Sequence, residues 1–197
     1  MIVVDVETTG LNPEKHSIVS VGAINFSNPK IQFYQECKIW DGAEVTQEAL
    51  KINGFSQEAI KNTNKKSLEE IMKDFLKWTQ DIEDKTIAGE NPTFDRDFLK
   101  ASAQRYNIDW QFGYRTVDLH SLCYAHYLSR GLTPPTKNRI ANLGTDIILK
   151  YVGLPEEPNP HNALTGAKME AEALSRLILG ESLLEEFKGY SIPNYLL

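Results

Sequence analysis

The segment Ile2-Val3-Val4-Asp5-Val6-Glu7-Thr8-Thr9-Gly10 constrains this chain more than any other. Residues 2–6 read as a short buried strand, and Thr8-Thr9-Gly10-Leu11-Asn12-Pro13 reads as a turn-rich loop after it. A period of two places Asp5 and Glu7 on one face of the strand. Two neighbouring anions in apolar surroundings are costly unless something cationic sits between them. A solvated edge strand would also tolerate them, and that is the ordinary explanation of an isolated Asp-X-Glu. Here the flanks are core-like, and Gly10 lets a ligand approach the backbone. The strand therefore reads as one wall of a metal-binding site.

Residues 18–24 form a second apolar strand, and residues 32–40 a third, favoured by Phe33, Tyr34, Ile39 and Trp40. Three consecutive strands imply an antiparallel meander. The period then lengthens. Ser67-Leu68-Glu69-Glu70 is a capping box, with Leu68, Ile71, Met72, Phe75, Leu76 and Trp78 following at helical spacing. Residues 86–89 are a short fourth strand, 94–106 a helix, and 115–119 a fifth strand that runs into another helix. Residues 143–152 and 163–179 are further amphipathic helices. Prolines at 134–135 and between 155 and 160 mark loops. No repeat or linker divides the chain. The expectation is a single α/β domain over residues 1–197, with a mixed five-stranded sheet flanked by helices.

Length and composition agree with that reading. The chain has 197 residues, 41% hydrophobic and 24% charged, as in soluble globular proteins. It opens with no secretory pattern and holds no uncharged apolar stretch long enough to span a bilayer. A cytoplasmic protein with no membrane partner is expected, with Cys37 and Cys123 as buried thiols. The net charge of −6 argues against a large surface gripping duplex phosphates. It is compatible with a small nuclease that holds a few terminal nucleotides and neutralises their phosphates with bound cations.

Two further segments carry chemistry. In Glu90-Asn91-Pro92-Thr93-Phe94-Asp95, a strand ends and a helix begins with Asp95 in its first turn, where an Asp can also simply stabilise the helix. Phe94, Phe98 and Leu99 would anchor that helix against the sheet. In Pro160-His161-Asn162-Ala163-Leu164, a histidine opens the last long helix, and the loop before it lets it reach a substrate and deprotonate a water.

Together the three segments resemble the DEDD superfamily of 3′→5′ exonucleases, in the histidine-bearing branch that includes polymerase proofreading subunits, ribonuclease T and oligoribonuclease. Val4-Asp5-Val6-Glu7-Thr8-Thr9-Gly10 is similar to the first motif, Asn91-Pro92-Thr93-Phe94-Asp95 to the second, and His161-Asn162-Ala163-Leu164 to the start of the third. The resemblance spans nearly the whole chain. It implies a ribonuclease H-like fold and two Mg²⁺ or Mn²⁺ ions, which suit oxygen ligands. It implies Asp5, Glu7 and Asp95 as metal ligands and His161 as general base. Thr8, Thr9, Leu11 and Asn91 would bind the terminal nucleotide. The implied partners are DNA or RNA 3′ ends and a polymerase or other replication or repair protein.

The pattern breaks at one place. The family's third motif has a metal-binding Asp five residues after the histidine, and that position is Gly166. Glu170 lies one helical turn further on, and helical side chains lean toward the N-terminus, so Glu170 is the candidate to reach back as fourth carboxylate. The bland alternative is a solvated Glu170 among Lys168, Glu172 and Arg176. Glu90 stands where the family often has His, and Asn53 where His commonly precedes Gly54. Asp118 reads as structural support for the site. The leading expectation is an active exonuclease on single-stranded or frayed 3′ ends that releases nucleoside monophosphates. A degenerate module that binds nucleic acid or protein with little catalysis, favoured by Gly166, is the first alternative. A hydrolase of small nucleotides is the second.

Overall fold

In the computed structural model, which describes residues 1–197, β1 (Ile2–Thr8) is the strand around which the chain is arranged. It pairs antiparallel with β2 (Ile18–Asn25), which pairs antiparallel with β3 (Gln32–Lys38). Two short helices follow, α1 (Gln47–Asn53) and α2 (Gln57–Ile60), and then β4 (Lys66–Ser67), a two-residue strand parallel to the end of β3. After α3 (Leu68–Trp78), β5 (Ile87–Gly89) returns to the free side of β1 in parallel. After α4 (Pro92–Arg105), β6 (Thr116–Asp118) extends the sheet, giving the order β4-β3-β2-β1-β5-β6. The sheet is mixed, as expected, but has six strands rather than five. The sixth is too short to carry a readable period.

The two faces of β1 feed different cores. Ile2, Val4 and Val6 pack with Leu68, Ile71 and Phe75 of α3 and Phe98 and Leu99 of α4. The α3 cap is the expected box: the Ser67 Oγ accepts from the Glu70 N–H at 3.2 Å, and the Glu70 carboxylate accepts from the Ser67 N–H at 2.7 Å. Val3 points the other way, into a core built from α5 (Leu119–Ser129), α6 (Thr145–Tyr151) and α7 (Ala163–Leu179). Cys37 and Cys123 are buried free thiols, one in each core. Between α5 and α6 lies a small hairpin, β7 (Thr136–Lys137) with β8 (Ile140–Ala141).

Helix α7 lies directly on the sheet because of a glycine. Gly22 of β2 pairs with Asp5, and a Cβ there would lie 2.2 Å from the Ala163 carbonyl oxygen at the start of α7. Any side chain at 22 would lift the helix, so glycine is what brings its first turn over the Asp5 strand. Further along, Arg176 is fully buried, pairs with Glu172 at 2.8 Å, and donates to the carbonyls of Val152, Phe187 and Tyr190 at 3.0 Å each. The Tyr195 hydroxyl donates to the Tyr151 carbonyl at 2.6 Å, so the apolar C-terminal segment packs on its own domain.

Candidate active site

β5 covers β1 only at Ile2 and Val3, so the far half of β1 has an unpaired edge beyond the end of β5. Ligands of open α/β sheets sit outside the carboxyl ends of such strands. Asp95, in the first turn of α4, fills part of this gap: its Oδ1 accepts from the Val6 N–H at 2.9 Å. One carboxylate thus satisfies the strand edge and stands beside Asp5. Asn91, left-handed at φ 48° just before the helix, makes the turn that aims α4 at the strand. Asp118 supports the turn, accepting from the Asn91 N–H at 3.3 Å while capping α5.

The resulting cleft encloses about 500 Å³. Asp5, Glu7, Asp95, Glu157 and Glu170 contribute carboxylates to its lining, with Glu90 and Asn91 nearby, and no Lys or Arg reaches it. Burial, then the Glu157 carboxylate, pushes Asp5 up to about 7. Burial, then Asp5, pushes Glu7 up to about 8. Asp95 and Glu170 are both held well above the usual carboxylate range, by burial first and by Asp5 second. Burial and Asp146 raise Glu157 to about 7. These groups are crowded anions without a counter-charge. No three His, Cys, Asp or Glu groups are drawn together into a ready-made metal cage.

His161 stands at the rim, its side chain 36% exposed. Its backbone N–H donates to the Ile52 carbonyl at 3.0 Å, docking the loop on α1. Its Nδ1 faces the Glu157 carboxylate at 3.6 Å. Behind it, Asn162 caps α7 by accepting from Leu164 and Thr165, and its amide donates to the Tyr34 hydroxyl at 2.9 Å.

Thr8 lines the cleft, as does Leu11, whose side chain is 83% exposed at the edge. Thr9 does not. A register shift between Glu7 and Thr8 breaks the period of two, so Thr9 turns inward, fully buried, and its hydroxyl donates to the Glu44 carbonyl at 2.7 Å. Its expected place in the nucleotide pocket is thereby corrected. Phe94, expected only as a core anchor, is half-buried and lines the cleft. Asn53 is buried, its amide donating to the Thr8 carbonyl at 3.0 Å, so it braces the strand end. Glu170 is neither solvated nor alone: Glu172 and Arg176 are buried with it. It faces Asp5 inside the cleft, as a carboxylate reaching back from α7 would. Its Oε2 occupies the space above Gly89, 2.7 Å from where a Cβ would be. Sequence reasoning missed the α1 wall (Thr46, Glu48, Ala49, Ile52) and Glu157. The Ser/Thr-x-x-x pattern opening α1 is too common to have shown the first, and no local pattern marks a single loop glutamate.

A mixed sheet whose central strand carries two carboxylates, with a third from the following βα turn and a histidine opening the last helix, defines a ribonuclease H-like exonuclease domain of the DEDDh type. The profile of the RNase T-type exonuclease family matches residues 2–174, and the chain belongs to that family. It is 31% identical to the 3′-5′ DNA exonuclease Cap18 of Escherichia coli over 89% of each chain. It is 27% identical to the PolC-type DNA polymerase III of Thermotoga maritima over 90% of this chain, and spans 12% of that polymerase's length. Among solved structures, the nuclease domain of 3′hExo, a DEDDh family member bound to rAMP, superposes with a TM-score of 0.70 at 16% identity over 93% of this chain and 94% of that one.

Proposed function

We propose that residues 1–197 form one metal-dependent 3′→5′ exonuclease domain that removes nucleoside monophosphates from single-stranded or frayed nucleic-acid 3′ ends. The observation that carries the reading is the cleft of converging, uncompensated carboxylates with His161 at its rim. Mg²⁺ or Mn²⁺ fits the donor set, because every candidate ligand is a hard carboxylate oxygen and one of them, Glu157 Oε1, is buried without a hydrogen-bond partner. Asp5, Glu7 and Asp95 would hold the ions, together with Glu170. Divalent ions held there would activate a water and stabilise charge on the attacking and leaving oxygens.

The protein's own groups do the rest. With Nδ1 turned to Glu157, Nε2 is the His161 nitrogen left to take the proton of the attacking water. Exposed Leu11 and half-buried Phe94 offer apolar surface to a terminal base, while Thr8 and Asn91 offer polar groups to its sugar. DNA as substrate and a polymerase or other replication protein as partner are supported by the relatives named DNA exonuclease and DNA polymerase III. The degenerate-module alternative rests on Gly166 alone, and the crowded carboxylates speak against it.

A 5′-labelled oligonucleotide with a free or a blocked 3′ end, incubated with Mn²⁺ or a chelator, tests this. Stepwise shortening of the free-ended strand only, abolished by chelation and by Asp5→Ala, is expected. Shortening of the blocked strand, or unchanged cleavage by Asp5→Ala, would refute the reading. So would hydrolysis confined to mononucleotides.

A further inference from the structure

Gly166 removes a carboxylate from α7 at the place nearest Asp5. A Cβ at 166 would lie 2.1 Å from Asp5 Oδ2 and 3.3 Å from Glu157 Oε1. The volume that a side chain at 166 would enter is therefore already flanked by another carboxylate, which arrives from the loop between α6 and α7. The Glu157 side chain is only 9% exposed, although it sits in a proline-rich surface loop with exposed neighbours Glu156 and Pro158. Its Oε1 is buried with no hydrogen-bond partner, and its Oε2 faces His161 Nδ1 at 3.6 Å, beyond hydrogen-bonding distance. A glutamate has no reason to leave water for this position unless something there binds its oxygens.

The loop is built to hold it in. The Glu157 N–H donates to Asp146 Oδ1 at 3.2 Å, pinning the loop to the first turn of α6. Four residues on, the His161 N–H is fixed to Ile52.

We propose that Glu157 is a further metal-binding carboxylate of this site beside Asp5, Glu7, Asp95 and Glu170, a loop-borne glutamate standing in for the helix-borne aspartate absent at Gly166. Glycine at 166 then has a positive role: it leaves room for the Asp5 carboxylate, with the Glu157 carboxylate beside the same space. The inference rests on the metal-dependent reading above, and concerns which residue completes one ion's ligand set.

The test is Mn²⁺ binding to the intact chain, read by calorimetry and by the Mn²⁺-induced rise in Tm, with cleavage measured in parallel. Glu157→Gln should weaken Mn²⁺ binding by at least the roughly 10-fold lost when even an outer partner of a ligand is removed. Glu156→Gln should leave binding unchanged. Gly166→Asp combined with Glu157→Gln should recover most of the affinity, since the atoms nearest a Cβ at 166 belong to the side-chain ends of Asp5 and of residue 157 rather than to backbone. Metal-free Glu157→Gln should melt no lower than the parent, because it loses a buried unpaired charge. Parental Mn²⁺ affinity in Glu157→Gln would overturn the proposal and leave Glu157 as a positioning residue for His161. Failure of the double variant to regain affinity would also overturn it. If the parent cleaves with Mn²⁺ while Glu157→Gln binds Mn²⁺ normally, only this proposal falls. If the parent neither binds Mn²⁺ nor cleaves, the exonuclease reading falls with it.

Discussion

Glu170 and Glu172 lie two residues apart on α7 and are both buried, yet their surroundings are opposite. Glu172 is surrounded by donors: Arg176 at 2.8 Å, the Ser182 hydroxyl at 2.8 Å, and the Leu183 and Leu184 N–H groups at 2.8 and 2.9 Å. Arg176 in turn saturates its guanidinium on backbone carbonyls. Glu170 looks onto Asp5 and Asp95 and is pushed well above the usual carboxylate range by burial and by those charges. One face of the helix ties down the C-terminal segment with a closed network. The other adds an acid to a site already rich in them. Buried charges persist when opposite charge pairs them, and a buried acid facing other acids marks a place where a cation fits.

The comparison breaks most sharply at Arg176. Replacing it by Ala leaves Glu172 buried without its cation, and urea unfolding should show a loss of about 3–5 kcal/mol. The folded fraction should still cleave. Asp5→Ala should do the reverse: cleavage falls by roughly 10³-fold or more, because several kcal/mol of metal-dependent stabilisation is lost. Its metal-free stability should hold or rise, as one member of the anion cluster is gone.

Stability against pH sharpens the contrast in the metal-free protein. Asp5, Glu7 and Glu157 are raised from 3.8, 4.5 and 4.5 to about 7, 8 and 7. Between those limits the folded chain holds protons that the unfolded chain has released. The stability this contributes is fully present below the ordinary carboxylate values and is lost as pH rises through about 7 to 8. Tm without metal should therefore fall from pH 5 to pH 8, and Mn²⁺ should flatten that slope. A metal-free Tm that rises over this range would contradict the assignment.

The smallest effect concerns neighbouring threonines. Thr9→Val should cost about 1 kcal/mol through its lost bond to Glu44 and leave KM unchanged. Thr8→Val and Leu11→Ala should raise KM with little change in stability, measured on a short oligonucleotide.

Much of the scaffold was legible in the sequence because it rests on local rules. The alternation at Ile2, Val4 and Val6 against Asp5 and Glu7, the Ser67–Glu70 box and Asp95 in the first turn of a helix each state their structure within a few residues. What stayed hidden depends on contacts remote in sequence. Thr9 was misplaced because a register shift, set by pairing with β2, reverses the alternation after Glu7. α1 has seven residues, too few to show a helical period, and β4, β7 and β8 have two each. Glu157 is a glutamate between prolines, and only folding shows that its carboxylate lies beside Asp5. Glu170 was correctly placed off the surface, but its position above Gly89 depends on the end of β5 rather than on the helix that carries it.

Burial and mutual repulsion raise the cleft's acids, so a bound cation should displace protons from them. Calorimetric titration of the metal-free chain with Mn²⁺ at pH 7, in two buffers of different ionisation enthalpy, measures this directly. The account predicts binding with release of about one proton or more per chain, lost in Asp5→Asn. Binding without proton release, or no difference between the parent and Asp5→Asn, would contradict it.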